Sequence, residues 1–211
     1  MVSGFGSSIA PFRTPGELVK HAEQMLQARC DSLSKDVAHC LSKPYAPFPA
    51  ILYCFSTIDL LGALAAGRGD NKRPATQHSK SYISLFMRYP DPIPTLLMGL
   101  FRHKLVHLAA PKTIFEYEDN MSAKHKVVWT YTHNTPAKHL KLEGVMGVSN
   151  IDNGLWLIPY DKSFWLDITS FSNDIVNSVL GPNGYLAQLK TNATMQVRYA
   201  ATVNDLYDPT K

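Results

Sequence analysis

The feature that most constrains the fold is a change of periodicity at Pro111. Before it, apolar residues recur every three or four positions; after it come β-branched and aromatic runs, Thr113-Ile114-Phe115-Glu116-Tyr117 and Lys126-Val127-Val128-Trp129-Thr130-Tyr131. A spacing of three to four belongs to helices, and short β-branched and aromatic runs belong to strands. The chain therefore reads as α+β: a tail over 1–13, a helical part over 14–110, and an α+β elaboration over 111–211 packed on it. At 211 residues it is long enough to bury a real core, as one domain with an elaboration or as two closely packed parts.

Within the first part, Leu18, Met25, Leu26, Leu33, Val37 and Leu41 form an apolar stripe behind Thr14-Pro15, with Glu17 three residues after Thr14. That is a capped amphipathic helix from Thr14 to about Ser42. The prolines of Lys43–Pro49 then interrupt it, and a second helix is expected from Ala50 to about Ala66. This stretch approaches the minimum length of a membrane span, but Ser56, Thr57 and Asp59 lie in it and no aromatic belt frames it, so it reads as a buried core helix. Gly67–Pro74 reads as a surface loop. A third helix is expected around Tyr82–Met87, and a fourth from about Pro94 to Leu108.

In the second part, the two runs above predict a hairpin or two sheet strands, with a third strand at Leu155–Tyr160 after the turn Asp152-Asn153-Gly154. A small antiparallel sheet follows from this reading. Helical spacing returns from about Asp167 to Leu180 and again from Tyr185, giving one or two C-terminal helices. Trp156 and Trp165 read as packing between sheet and helix. Cys30, Cys40 and Cys54 are odd in number and show no CxxC spacing, which predicts reduced thiols. The start of the chain lacks the basic and apolar run of a signal peptide, so a cytoplasmic protein is expected.

The net charge is +4, and residues 102–141 carry all of it, with seven Lys or Arg against three Asp or Glu. Such an excess suits an acidic partner such as a phosphate backbone, or a plain solvated face. Inside this segment Arg102-His103-Lys104-Leu105-Val106-His107 interrupts an apolar helix that contains Leu96, Leu97, Leu100, Phe101 and Leu108. An imidazole titrates near neutral pH, and a guanidinium grips phosphate oxygens with a rigid fork. Together they suit phosphodiester chemistry.

The string LFRHKLVHL, on the last of four expected helices, resembles the R-x4–6-H motif of HEPN domains over roughly residues 14–110. The resemblance implies a four-helix bundle and a metal-independent endoribonuclease that needs no cofactor. The RNA 2′-hydroxyl would attack the adjacent phosphate, with His107 as general acid and base and Arg102 holding the phosphate. It also implies a homodimer in which Arg102 and His107 meet their symmetry mates, and a toxin or defence role with an antitoxin or regulatory partner. The family usually has a polar residue after the motif Arg, most typically Asn; here it is His103.

Five helical positions turn through about 140° and rise about 7.5 Å, so Arg102 and His107 do not share a face, whereas His103 and His107 do. Either the Arg side chain curls back or a two-fold partner supplies the second cation. His103 and Lys104 are supporting residues. Asp59, alone among apolar neighbours of the second helix, needs a cation, either Arg102 or His107 of the site, or else Arg88 or a helix-end amide. The pair His103 and His107 also has the spacing of two metal ligands on a helix, but Arg102 and Lys104 would repel a cation, so no metal is expected. His125, His133 and His139 with Lys124, Lys126, Lys138 and Lys141 would line an RNA path, with Trp129 and Tyr131 stacking on bases, or else form the wet face of a sheet. The competing readings are a non-catalytic RNA- or protein-binding module and a metal-dependent hydrolase.

Overall fold

The computed structural model of the chain describes residues 10–67, 75–99, 114–119, 121–151 and 156–207. It is a mixed α/β structure with helices and a four-stranded mixed sheet. The described residues pack as two compact units, each assembled from separated stretches: one from residues up to 35, 55–88 and 174 onward, the other from 36–54 and 89–173. The boundary expected at 110/111 lies outside the described residues.

The first unit is helical. Helix α1 (Pro15–Cys40) begins as the sequence predicts: Thr14 Oγ1 accepts from the Glu17 amide at 3.1 Å, and the Glu17 carboxylate accepts from the Arg13 amide at 2.9 Å. Its stripe Leu18, Ala22, Leu26, Cys30 and Leu33 is buried. Helix α2 (Pro47–Ala66) starts three residues earlier than expected, because Pro47 and Pro49 fall in a first turn whose amides need no helical acceptor. By length and composition α2 is the one described helix able to cross a membrane, yet half of its most apolar window is buried within the protein. Phe55, Ile58, Leu61 and Leu64 supply its part of this core.

Helix α3 (Ala75–Tyr82) begins before the expected third helix, whose own residues Ile83–Met87 form a π-helical turn closed by Arg88 at φ 59°. Gly62 permits the close approach of α3 to α2, since a Cβ there would lie 2.8 Å from the Ser79 amide nitrogen. One turn before Gly62, Asp59 accepts a hydrogen bond from Ser79 Oγ. The unit is completed by the end of α5 (Ile168–Leu180), by α6 (Tyr185–Thr191) and by α7 (Ala193–Tyr207). Tyr82 OH meets Ser178 Oγ at 3.0 Å, His21 Nδ1 meets Tyr199 OH at 2.9 Å, and Thr202 Oγ1 donates to the Ala63 carbonyl at 3.0 Å. Three described helices therefore follow the strands, where one or two were expected.

The second unit holds α4 (Ile93–Leu97) and the strands β1 (Ile114–Glu118), β2 (Lys124–Thr132), β3 (Lys141–Ile151) and β4 (Trp156–Asp167). The expected hairpin is present, with Tyr117 opposite His125. The sheet is mixed, however, not antiparallel: its order is β1-β2-β4-β3, and β4 runs parallel to β2 while pairing antiparallel with β3. Apolar content explains the order. Phe164 and Leu166 of β4, the register partners of Trp129 and Tyr131 of β2, are fully buried, which suits a central strand, while the polar Lys141 and Glu143 of β3 suit an edge. β3 was absent from the sequence reading because Gly144 and Gly147 break its alternation, and the register shifts between those two residues.

Asp167 closes β4 and starts α5. It is fully buried and accepts from the Thr135 amide at 2.7 Å, the Ser170 amide at 2.9 Å and Thr132 Oγ1 at 3.2 Å. Burial pushes its pKa up, but these donors outweigh burial and hold the carboxyl below its ordinary range. The three cysteines are free, with Cys30 and Cys54 buried, as the sequence predicts.

Candidate functional site

Arg102, His103, Lys104 and His107 lie outside the described residues, and so does the expected helix beyond Gly99. The described start of that helix is α4, with Pro94 in its first turn and Ile93, Leu96, Leu97 and Met98 buried. The cation expected for Asp59 at Arg102 or His107 likewise falls on undescribed residues. Asp59 accepts a hydrogen bond from Ser79, a neutral donor on α3.

The remaining site residues lie on β2, where strand alternation decides which can act together. His125, Val127, Trp129 and Tyr131 share one face; Lys124 and Lys126 share the other. The expected path combining these lysines with the two aromatics is therefore divided between opposite sides of the strand. The lysines face acids of β1: Glu118 is the register partner of Lys124, and Lys126 Nζ lies 3.7 Å from Glu116 Oε1. Exposed pairs of this kind contribute little stability, but they reduce the positive field presented to a phosphate.

The aromatics do assemble. Trp129 and Tyr131 are stacked with centroids 5.7 Å apart and planes 23° from parallel, and Phe48 meets Tyr131 edge-on at 5.8 Å. Tyr45 OH is 2.9 Å from His133 Nδ1. Tyr45, Trp129, Tyr131 and His133, with Thr130, Thr132 and Thr135, line a groove of about 580 Å³ at this end of β2. Tyr45 and Phe48 come from the proline-rich turn and the start of α2, and no local pattern signals that they join Trp129. His139 is set apart, 3.3 Å from Tyr89 OH, and Lys138 Nζ sits 4.2 Å above the Trp165 ring.

At the other end of β2, His125 is held on both sides: Nδ1 is 2.6 Å from Asp161 Oδ2, and Nε2 is 3.1 Å from Asp119 Oδ2. Both ring nitrogens can donate only in the imidazolium form, so the pair of carboxylates selects the charged ring. The Asp161 bond, followed by the Asp119 bond, raises the His125 pKa above its ordinary value. His125 in turn lowers Asp119, as do the Ala123 and Met121 amides that the same carboxylate accepts. Asp161 is raised by burial, yet the His125 bond and the Lys126 amide bring it below its usual range.

Tyr117 packs 5.3 Å from the His125 ring, and Lys162 Nζ donates to Tyr117 OH at 3.1 Å. With both nitrogens engaged, His125 works as a fixed cation rather than a proton carrier. Sequence reading singled out His125 but missed Asp161, 35 positions downstream of Lys126, because only the β2/β4 register brings them together. Asp119 was legible in principle, since an Asp at the start of a hairpin turn commonly accepts amides two residues on. Among the described residues no group of three or more His, Cys, Asp or Glu side chains is arranged to hold a metal ion.

No protein-family model, no curated protein and no solved structure matches the chain.

Proposed function

We propose that the protein is a metal-independent endoribonuclease of the HEPN type, working as a homodimer through an N-terminal helical bundle. The observation that carries this reading is the run Arg102-His103-Lys104-Leu105-Val106-His107 set among apolar residues, within the segment holding the whole cation excess. His107 removes the proton of the RNA 2′-hydroxyl, whose oxygen attacks the adjacent phosphorus, and a protonated imidazole returns a proton to the departing 5′-oxygen. Arg102 stabilises the charge on the non-bridging oxygens. His103 and Lys104 support the pair, and Asp59 orients it. The Trp129–Tyr131 stack offers ring faces to unpaired bases. A toxin or defence role with a regulatory protein partner accompanies the family resemblance.

The test is cleavage of RNA by wild type, Arg102→Ala and His107→Ala in EDTA, with end-group analysis. EDTA-resistant cleavage leaving 2′,3′-cyclic phosphate, lost in both folded variants, supports the proposal; an inert wild type, or cleavage unchanged by the substitutions, overturns it. A non-catalytic binding module is the second reading, and the observation favouring it is the preformed aromatic groove, which needs no reaction to be useful. On that reading His107→Ala lowers the melting temperature and leaves RNA or protein binding to be lost with Trp129→Ala.

A further inference from the structure

In the helical unit, Met25, Arg29 and Ser32 lie three and four residues apart on α1 and so form one stripe, beside the buried stripe of Leu26, Cys30 and Leu33. Val203, Leu206 and Tyr207 form a similar stripe at the end of α7. Together with Leu60 of α2 they enclose an open cavity of about 460 Å³. That volume falls within the range of small-molecule sites, which pair mostly apolar walls with a few polar groups. The walls here fit that description, and Arg29 is the only charged residue among them. Leu206 and Tyr207, exposed at 46% and 69%, leave apolar surface open at the rim.

Arg29 is half-buried, and none of the ion pairs among the described residues includes it. A guanidinium beside apolar walls is partly stripped of water, and its planar fork of donors matches the two oxygens of a carboxylate. A ligand that satisfies both the cation and the walls must carry an anion at one end and hydrocarbon at the other. We infer that this cavity binds a small amphipathic carboxylate, its head on Arg29 with Ser32 beside it and its chain over Met25, Leu60, Val203 and Leu206. This site is independent of the ribonuclease reading.

The experiment titrates the full chain, carrying ¹³C-methyl methionine, with octanoate below its micelle concentration and, in parallel, with octanol. The expected result is a saturable shift of the Met25 methyl resonance with octanoate, weakened about tenfold or more by Arg29→Gln and about as much when octanol replaces octanoate. The buried Met195 methyl, unmoved in Arg29→Gln, reports that the variant is folded. A Met25 resonance that octanoate does not move overturns the inference. So does octanoate affinity within twofold of wild type in folded Arg29→Gln, or octanol binding as tightly as octanoate.

Discussion

The two units hold their polar groups by different means. In the helical unit the buried phenols and the Cys30 thiol stay neutral: burial raises the pKa of the Tyr82, Tyr185 and Tyr199 phenols and lifts the Cys30 thiol to about 11, while the Tyr82 and Thr202 hydroxyls bond to a hydroxyl and a carbonyl. In the sheet unit the buried Asp167 and the partly exposed Asp119, Asp161 and His125 are held in their charged forms. Asp119, Asp161 and Asp167 are held below the ordinary carboxylate range and His125 above the ordinary imidazole value. The difference follows from backbone chemistry. A helix satisfies its own amides except in the first turn, whereas strand ends and turns leave amides unpaired. The amides of Met121, Ala123, Lys126, Thr135 and Ser170 all donate to these three aspartates.

The largest test of this contrast is Asp167→Ala. It leaves two amides and a hydroxyl without their acceptor in a buried place and removes a helix cap, so a loss of about 2–4 kcal/mol is expected in urea unfolding. A loss below 1 kcal/mol would break the contrast. Next is Gly62→Ala in the helical unit, where the added methyl meets the Ser79 backbone and must push α3 away from α2; about 1–3 kcal/mol is expected by the same measurement. Tyr199→Phe removes only the hydroxyl bonded to His21 and should cost about 0.5–1.5 kcal/mol.

The smallest effect separates the units by pH. Because the folded pKa of His125 is raised, its contribution is complete below the unfolded value of about 6.5 and is lost as pH rises through the folded value. The three aspartates, with lowered folded values, contribute above about 3.9 and lose that contribution as pH falls through those values. Protection of the Lys126 amide from hydrogen exchange, corrected for intrinsic rates, should therefore decline above the raised His125 value, and His125→Gln should flatten the decline. Amides of α1 between Leu18 and Leu33 serve as the reference that does not follow it. An α1 response parallel to that of Lys126 would erase the distinction.

Legibility differed by element. The cap and stripe of α1, the strands around Phe115 and Trp129, and the start of α5 after Asp167 were all readable, because each depends on neighbours within a few residues. The π-helical turn at Ile83–Met87 was not, since its apolar pattern looks like that of an ordinary helix. Of the candidate site, the Arg102–His107 motif is visible only as sequence. Lys126 and Trp129 lie on opposite faces of β2, because an odd separation along a strand reverses the side-chain direction. The His125 clamp was half visible, its histidine noted and its distant aspartate missed.

By itself, then, the sequence determined the kind of most regular segments, several of their ends, the reduced cysteines and the segment that concentrates positive charge. These follow from local periodicity, capping and composition. Only the tertiary structure decided that β4 lies between β2 and β3, that Asp161 reaches His125, that Tyr45 joins Trp129 and Tyr131, and that the last helix encloses Arg29 with the first. Each of those joins segments tens of residues apart or more. Their pairing depends on which apolar faces are buried together, and no short window of sequence contains that information.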